Sequence, residues 1–112
     1  MSKVKYVMSV ELKTGVISED FEKFIAEEFY PNYRVIAGLK PYLQKGLRGG
    51  REGKYLFIDT YESVDRLLQL WPKWGEAGEE FTQWIAAHQE IWDKLGTFVE
   101  YTDHTAYVEL SS

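Results

Sequence analysis

Residues 79–95 limit the possible folds more than any other stretch, because their apolar side chains recur with helical spacing. His88 lies on the same face of this predicted helix, and Gly96 is expected to end it in the left-handed conformation. The apolar residues fall three, four or seven positions apart and form one stripe: Phe81, Trp84, Ile85, Ile91, Trp92 and Leu95. A helix that turns tryptophans and a histidine inward either closes a hydrophobic core or lines a pocket.

The composition is that of an ordinary folded protein with an excess of aromatic residues. At 112 residues, with 45% apolar and 28% charged residues, the chain can bury a core as a single domain over residues 1–112. Aromatic residues make up 16% of the chain, which is typical of a dense core, a subunit interface or an aromatic-lined cavity.

Charge and cysteine content exclude several partners and chemistries. The net charge of −5 disfavours nucleic acid and anionic membranes as partners, because no basic stripe can release counterions. The chain has no cysteine, and its two histidines lack metal-ligand spacing, so a metal site is not expected. The N-terminus does not read as a signal peptide and no apolar run could span a bilayer, so we expect a cytoplasmic location.

Periodicity predicts four strands and three helices. Alternating apolar residues predict strands over residues 3–13, 39–47, 54–61 and 97–110, the last interrupted at residues 102–105. Helical spacing predicts helices over residues 18–30, 64–71 and 79–95. Pro31 should end or bend the first helix. The order β-α-β-β-α-β, with a further helical piece before the last strand, predicts an α+β, ferredoxin-like subunit: an antiparallel sheet with helices on one face.

Both faces of the predicted sheet are apolar. The face that the helices leave open carries Val7 and either Leu56 and Ile58 or Tyr55 and Phe57. An antiparallel sheet with two apolar faces needs a second cover. A homodimer that packs two sheets face to face supplies it.

Several segments resemble the dimeric α+β barrel superfamily, in particular its stress-responsive A/B-barrel proteins, olivetolic-acid-type polyketide cyclases and antibiotic biosynthesis monooxygenases. The resemblance lies in residues 4–6, 52–53, 60–64, 91–95 and 98–102. It implies a homodimer and a cofactor-independent monooxygenase or cyclase-like activity on a hydrophobic aromatic substrate. The alternative it implies is a non-catalytic stress-related or ligand-binding role. Tyr6 stands where the cyclases have their first-strand histidine, and Trp74 lies near the second.

His88 and Tyr6 are the candidate catalytic residues. An imidazole titrates near neutrality and can act as a general base, and the Tyr6 hydroxyl is expected within bonding reach of it. In the alternative interpretation, His88 is a core histidine bonded to a backbone carbonyl or a tyrosine hydroxyl. Five other side chains are expected to contact a hydrophobic small molecule, or else to pack as core: Met8, Tyr30, Trp71, Trp74 and Trp84.

Asp59 and His104 are weaker candidates. Asp59 lies in the middle of an apolar strand, so a buried Asp59 would be paired or shifted in pKa and could serve as an acid or base. We favour the alternative of a solvated strand residue. His104 follows the predicted break in the last strand and is expected to be an exposed turn residue.

Overall fold

The computed structural model of the protein describes residues 3–110, and within them it contains four strands and five α-helices. A π-helical segment, Ile25–Phe29, joins the first two helices. In chain order the elements are β1 (Val4–Leu12), α1 (Ser18–Phe24), α2 (Tyr30–Tyr33), β2 (Leu39–Lys45), β3 (Tyr55–Tyr61), α3 (Val64–Leu70), α4 (Glu79–Ala87), α5 (Gln89–Phe98) and β4 (Val99–Val108).

The strands form one sheet in the order β2-β3-β1-β4, and every neighbouring pair is antiparallel. This is the predicted ferredoxin-like α+β arrangement, and the prediction is confirmed. Because side chains alternate along a strand, every second residue of β1 and β3 points toward the helices. The buried ones are Val4, Tyr6, Val10, Tyr55, Phe57, Asp59 and Tyr61.

The last strand contains a β-bulge at the position of the predicted interruption. Ser9 pairs with Asp103, whereas Val10 pairs with Tyr101, so Thr102 is an extra residue without a partner on β1. The bulge leaves both Tyr101 and His104 directed to the helix-covered side of the sheet. The turn predicted at His104 is therefore wrong, since this residue lies in a continuous strand opposite Met8, whereas its predicted exposure is confirmed.

The single helix predicted over residues 79–95 is in fact two helices that meet at His88. The backbone of His88 (φ −127°, ψ 33°) departs from helical geometry and ends α4. Gly96 lies inside α5 without a positive φ, so its predicted role as the helix terminator is wrong. Side chains satisfy the last carbonyls instead, because Lys13 Nζ donates to Gly96 O at 2.7 Å and Thr97 Oγ1 donates to Lys94 O at 2.6 Å.

Pro31 widens the first helical region rather than ending it. The Tyr30 N–H donates to Ile25 O, five residues back, and the helix continues to Tyr33. Proline has no N–H and its ring crowds the carbonyl of the preceding turn, which a π-helical turn relieves. This widening precedes Tyr30 and Tyr33, two buried aromatic residues that face the sheet.

The other face of the sheet is only partly covered. Val7 pairs with Ile58, which in turn pairs with Tyr42, so these three side chains form a row across the sheet. Tyr42 is 50% exposed, and Val7, Leu56 and Ile58 are half-buried. Within residues 3–110, none of the helices is long and apolar enough to cross a membrane.

Candidate ligand-binding site

A cavity of about 180 Å³ lies between the inner face of the sheet and the helices. Its volume suits a ligand built around one aromatic ring, since an engineered cavity of about 150 Å³ holds benzene. The sheet contributes Tyr6, Met8, Phe57, Asp59, Tyr61, Tyr101 and His104 to the lining. The helical layer contributes Phe29, Tyr30, Tyr33, Trp71, Phe81, Trp92 and Leu95.

The Asp59 carboxyl is buried in this aromatic lining. Asp59 is 4% exposed, and Tyr33 Oη donates a hydrogen bond of 2.6 Å to its Oδ2. Burial raises the pKa of Asp59 to about 7, and the bond from Tyr33 opposes that rise. Our preference for a solvated Asp59 is therefore wrong. Near neutral pH the carboxyl populates both protonation states, which suits an acid–base group.

Four buried tyrosines around Asp59 stay protonated at neutral pH. Burial is the main cause of the raised pKa of Tyr6, Tyr30, Tyr33 and Tyr61, and the charge of Asp59 adds to it. Each of these phenols can therefore donate a hydrogen bond. The site combines one titratable carboxyl with several fixed donors.

Two of these hydroxyls are engaged by protein partners. Tyr33 Oη bonds to Asp59, and Tyr6 Oη lies 3.1 Å from His104 Nδ1. Because the Tyr6 phenol is protonated, it can donate to the unprotonated form of that nitrogen. Tyr6 and His104 thus form a second polar pair in the cavity lining.

The hydroxyls of Tyr30 and Tyr61 are buried, and neither has a hydrogen-bond partner among residues 3–110. Tyr30 is 4% exposed and Tyr61 is 0% exposed. The Trp71 side chain lowers the pKa of Tyr61, opposing its rise, but does not reach hydrogen-bond geometry with the hydroxyl. A buried hydroxyl left without a partner costs about 1–3 kcal/mol, so such groups in a cavity wall point to a ligand or water.

Two tryptophans pack against the ring of Tyr6, and only one of them lines the cavity. The Trp74 ring stacks on Tyr6 with centroids 5.4 Å apart and an interplanar angle of 12°. Trp74 is 64% exposed, so it shields Tyr6 from solvent without lining the cavity. Trp71 lines the cavity and packs against Phe81, with centroids 4.8 Å apart.

Four of the residues predicted for the site lie together in the cavity lining: Tyr6, Met8, Tyr30 and Trp71. Trp74 and Trp84 do not line it; Trp84 packs in the core and donates from Nε1 to Asn32 O at 3.1 Å. That these residues bind a ligand stays a prediction.

His88 does not line the cavity, so the expected approach of His88 to Tyr6 is wrong. Its Nδ1 lies 2.8 Å from Trp84 O, and its ring stacks on the Trp84 indole with centroids 4.5 Å apart. His88 was placed on the apolar stripe by assuming one continuous helix. The break between α4 and α5 at this residue is the reason why that placement fails. A catalytic role of His88 stays a prediction, and the expected contact with Tyr6 does not support it.

Sequence reasoning missed Tyr33 and Tyr61 and gave Asp59 and His104 too little weight. Alternation with Phe57 and Tyr61 was the signal that places Asp59 on the inner face. The face of the sheet on which His104 lies could not be predicted, because strict alternation does not continue through the extra residue of the bulge at Thr102. Among residues 3–110, no group of three His, Asp or Glu side chains is placed to hold a metal ion.

Solved structures with the same fold support this description. Two structures of SnoaB, a cofactor-independent oxygenase from Streptomyces nogalater, match 100% of this chain and 97% of theirs, with a TM-score of 0.64 and 12% identity. An Arabidopsis thaliana protein matches 97% of this chain and 95% of its own, with a TM-score of 0.57 and 18% identity.

A Bordetella bronchiseptica protein, provisionally assigned as an antibiotic biosynthesis monooxygenase, matches 100% of this chain and 99% of its own, with a TM-score of 0.54 and 17% identity. No family profile and no curated protein matches the sequence. At these identities the likeness shows the fold alone. The chain therefore shares with these proteins the ferredoxin-like α+β fold described above.

Proposed function

We propose that the protein binds a hydrophobic aromatic small molecule in this cavity and catalyses its conversion, as a cofactor-independent monooxygenase or polyketide-cyclase-like enzyme. The observation that carries the proposal is the Asp59 carboxyl, buried among aromatic side chains with a pKa of about 7. A titratable group in an apolar cavity is the usual signature of a site for acid–base chemistry. The oxygenase activity of SnoaB and the monooxygenase assignment of the Bordetella protein agree with this class of reaction.

In the proposed reaction, the Asp59 carboxylate accepts a proton from an acidic O–H or C–H group of the substrate. The proton moves to a carboxylate oxygen, and the substrate is left as an anion. The protonated tyrosines of the lining stabilise that anion as hydrogen-bond donors. This electron-rich substrate anion can then react with dioxygen or attack a carbonyl group elsewhere in the same substrate molecule. In this proposal the pair of Tyr6 and His104 replaces the pair of Tyr6 and His88 that we expected from the sequence.

We also propose that the protein is a homodimer. The row formed by Tyr42, Ile58 and Val7 would be buried if two sheets pack face to face. Burying apolar area is the main driving force for such an association.

The test of the catalytic proposal begins with the natural ligand. Mass spectrometry of the natively purified protein should detect a small aromatic molecule, which is then extracted and incubated with fresh protein. We expect wild type to convert it and Asp59→Asn to convert it at least about a hundredfold more slowly, the usual scale of a general base. Asp93→Asn, at an exposed site on α5, is the control that should retain full activity. Equal conversion by Asp59→Asn would refute the role of Asp59.

A non-catalytic ligand-binding or stress-related function is the alternative, and one observation favours it. Tyr33 already holds the Asp59 carboxyl through a bond of 2.6 Å, so one oxygen of the carboxyl is committed to the protein. If this alternative holds, the extracted molecule binds to wild type and to Asp59→Asn, and it is recovered chemically unchanged from both.

A further inference from the structure

We propose that Tyr30 and Tyr61 form a donor pair that selects aromatic ligands carrying a carbonyl oxygen. The inference rests on the proposed ligand-binding function and names the ligand class that the cavity prefers. Both residues line the cavity, both side chains are more than nine-tenths buried, and neither hydroxyl has a partner among residues 3–110.

The other buried tyrosines of the lining are already engaged, and Tyr101, the fifth tyrosine of the lining, is 41% exposed. Tyr33 donates to Asp59, and Tyr6 pairs with His104. Tyr30 and Tyr61 are therefore the two buried phenols of this cavity that still have hydrogen-bonding capacity for a ligand. Pairing each with an acceptor would remove the cost of a buried hydroxyl without a partner.

The pair approaches the cavity from two directions. Tyr30 comes from α2, directly after the π-helical segment, whereas Tyr61 is the last residue of β3. Tyr30, Tyr61 and Asp59 line the same cavity, and the charge of Asp59 raises the pKa of both phenols. A ligand oxygen held by either donor is consequently brought close to the group that we assign as the base.

The phenols suit an acceptor on the ligand. Burial and the charge of Asp59 keep both hydroxyls protonated, so each has a proton to donate. A phenol oxygen is a weak acceptor, because its lone pair is delocalised into the ring. The aromatic walls bind the ring of a ligand, and the two hydroxyls bind its carbonyl oxygen.

Acetophenone and ethylbenzene test this inference, because they have nearly the same shape and differ in the carbonyl oxygen. The Kd of each probe is measured by calorimetry for wild type, Tyr30→Phe, Tyr61→Phe and the control Tyr42→Phe, whose ring is 50% exposed on the opposite face of the sheet. The ratio of the ethylbenzene Kd to the acetophenone Kd reports the preference for the carbonyl. We expect this ratio to fall about three- to tenfold in Tyr30→Phe and in Tyr61→Phe, the worth of one hydrogen bond, and to stay unchanged in Tyr42→Phe.

Three other outcomes would contradict the donor pair, and one of them would also contradict the proposed binding of aromatic ligands. If both probes bind but the ratio is the same in all four proteins, the hydroxyls do not select the carbonyl, and the cavity still stands as a ligand site. An equal fall in Tyr42→Phe also overturns the donor pair, since the effect would not be local to the cavity. If neither probe binds to any of the proteins, the donor pair and the proposed binding of aromatic ligands both fail. The phenylalanine variants should fold, because each removes only a hydroxyl without a partner.

Discussion

At the scale of single residues, the pH dependence of the protein is concentrated in the Asp59 carboxyl. Its pKa is about 7 in the folded protein, against an ordinary value of 3.8. The folded state therefore binds this proton more tightly than the unfolded chain does. Between about pH 4 and pH 7 the free energy of unfolding falls as pH rises, and above pH 7 this group causes no further loss.

Asp59→Asn is expected to stabilise the protein more at pH 8 than at pH 5. The amide keeps an oxygen that can accept the bond from Tyr33, and it removes the buried negative charge present at pH 8. The raised pKa of Asp59 lowers the free energy of unfolding by roughly 4 kcal/mol at most at pH 8 and by a minor part of that at pH 5. Urea unfolding at both pH values measures the difference. The same gain at pH 5 and pH 8 would show that the carboxyl is not protonated in this range.

Individual site residues were predictable where regular alternation extends to them. Tyr6 and Met8 follow from the period of β1, and Tyr30 follows from its place among the aromatic residues of the first helical region. The position of His88 was not predictable in the same way, because this residue forms the break between two helices and its side chain does not follow the stripe. Composition carries no signal for such a break, since residues 79–95 are compatible with one continuous helix.

At the scale of elements, the four strands, the helix α3 and the helical region α4–α5 agree closely with the sequence periodicity, whereas the junctions do not. Pro31 permits a π-helical turn, and Gly96 lies within a helix. The outcome at each junction depends on tertiary contacts, such as the bond from Lys13 Nζ to Gly96 O, which joins residues far apart in sequence. Local propensity cannot encode a contact of that range.

Gly96→Ala should raise the free energy of unfolding by about 0.5–1 kcal/mol. The position is helical without a positive φ, and a Cβ built there would have no heavy atom within 4 Å. Alanine gains helix propensity and reduces the freedom of the unfolded chain. Thermal or urea unfolding of the variant measures the change.

Gly38→Ala is the matched comparison for that substitution. Gly38 has φ +75°, and a Cβ there would lie 2.9 Å from the Glu62 side chain. We expect this variant to lose stability by about 1 kcal/mol or more, because alanine is strained at positive φ. If Gly96→Ala also loses stability, Gly96 does adopt the left-handed conformation that its sequence context predicted.

At the scale of the whole molecule, the sheet has one face packed against helices and one that is only partly buried. The inner face holds the cavity, and the outer face holds Val7, Leu56 and Ile58. Because side chains alternate, one strand supplies both Asp59 to the cavity and Ile58 to the outer face. Dimerisation through the outer face would therefore contact β3, the strand that carries the proposed base Asp59.

Ile58→Lys is expected to convert the proposed dimer into a folded monomer. A lysine at the centre of a sheet-to-sheet contact would bury a charge without a partner. Sedimentation equilibrium at low micromolar concentration measures the mass, and circular dichroism verifies the fold. Leu68→Lys, at a 50% exposed position on α3, is the control that should remain dimeric. A wild-type protein that sediments as a monomer, or an Ile58→Lys variant that remains a dimer, would contradict the face-to-face arrangement.

The bulge at Thr102 has a consequence for how this strand can vary in evolution. Thr102 and Asp103 together occupy the space that one residue fills in a regular strand, so losing Thr102 would leave Tyr101 and His104 on the same side of the sheet. A homologous strand one residue shorter can therefore present the same two side chains to the cavity. When this chain is aligned with distant relatives, a one-residue gap at position 102 keeps the true counterparts of His104 in register. An ungapped alignment would assign that position to a residue on the opposite face.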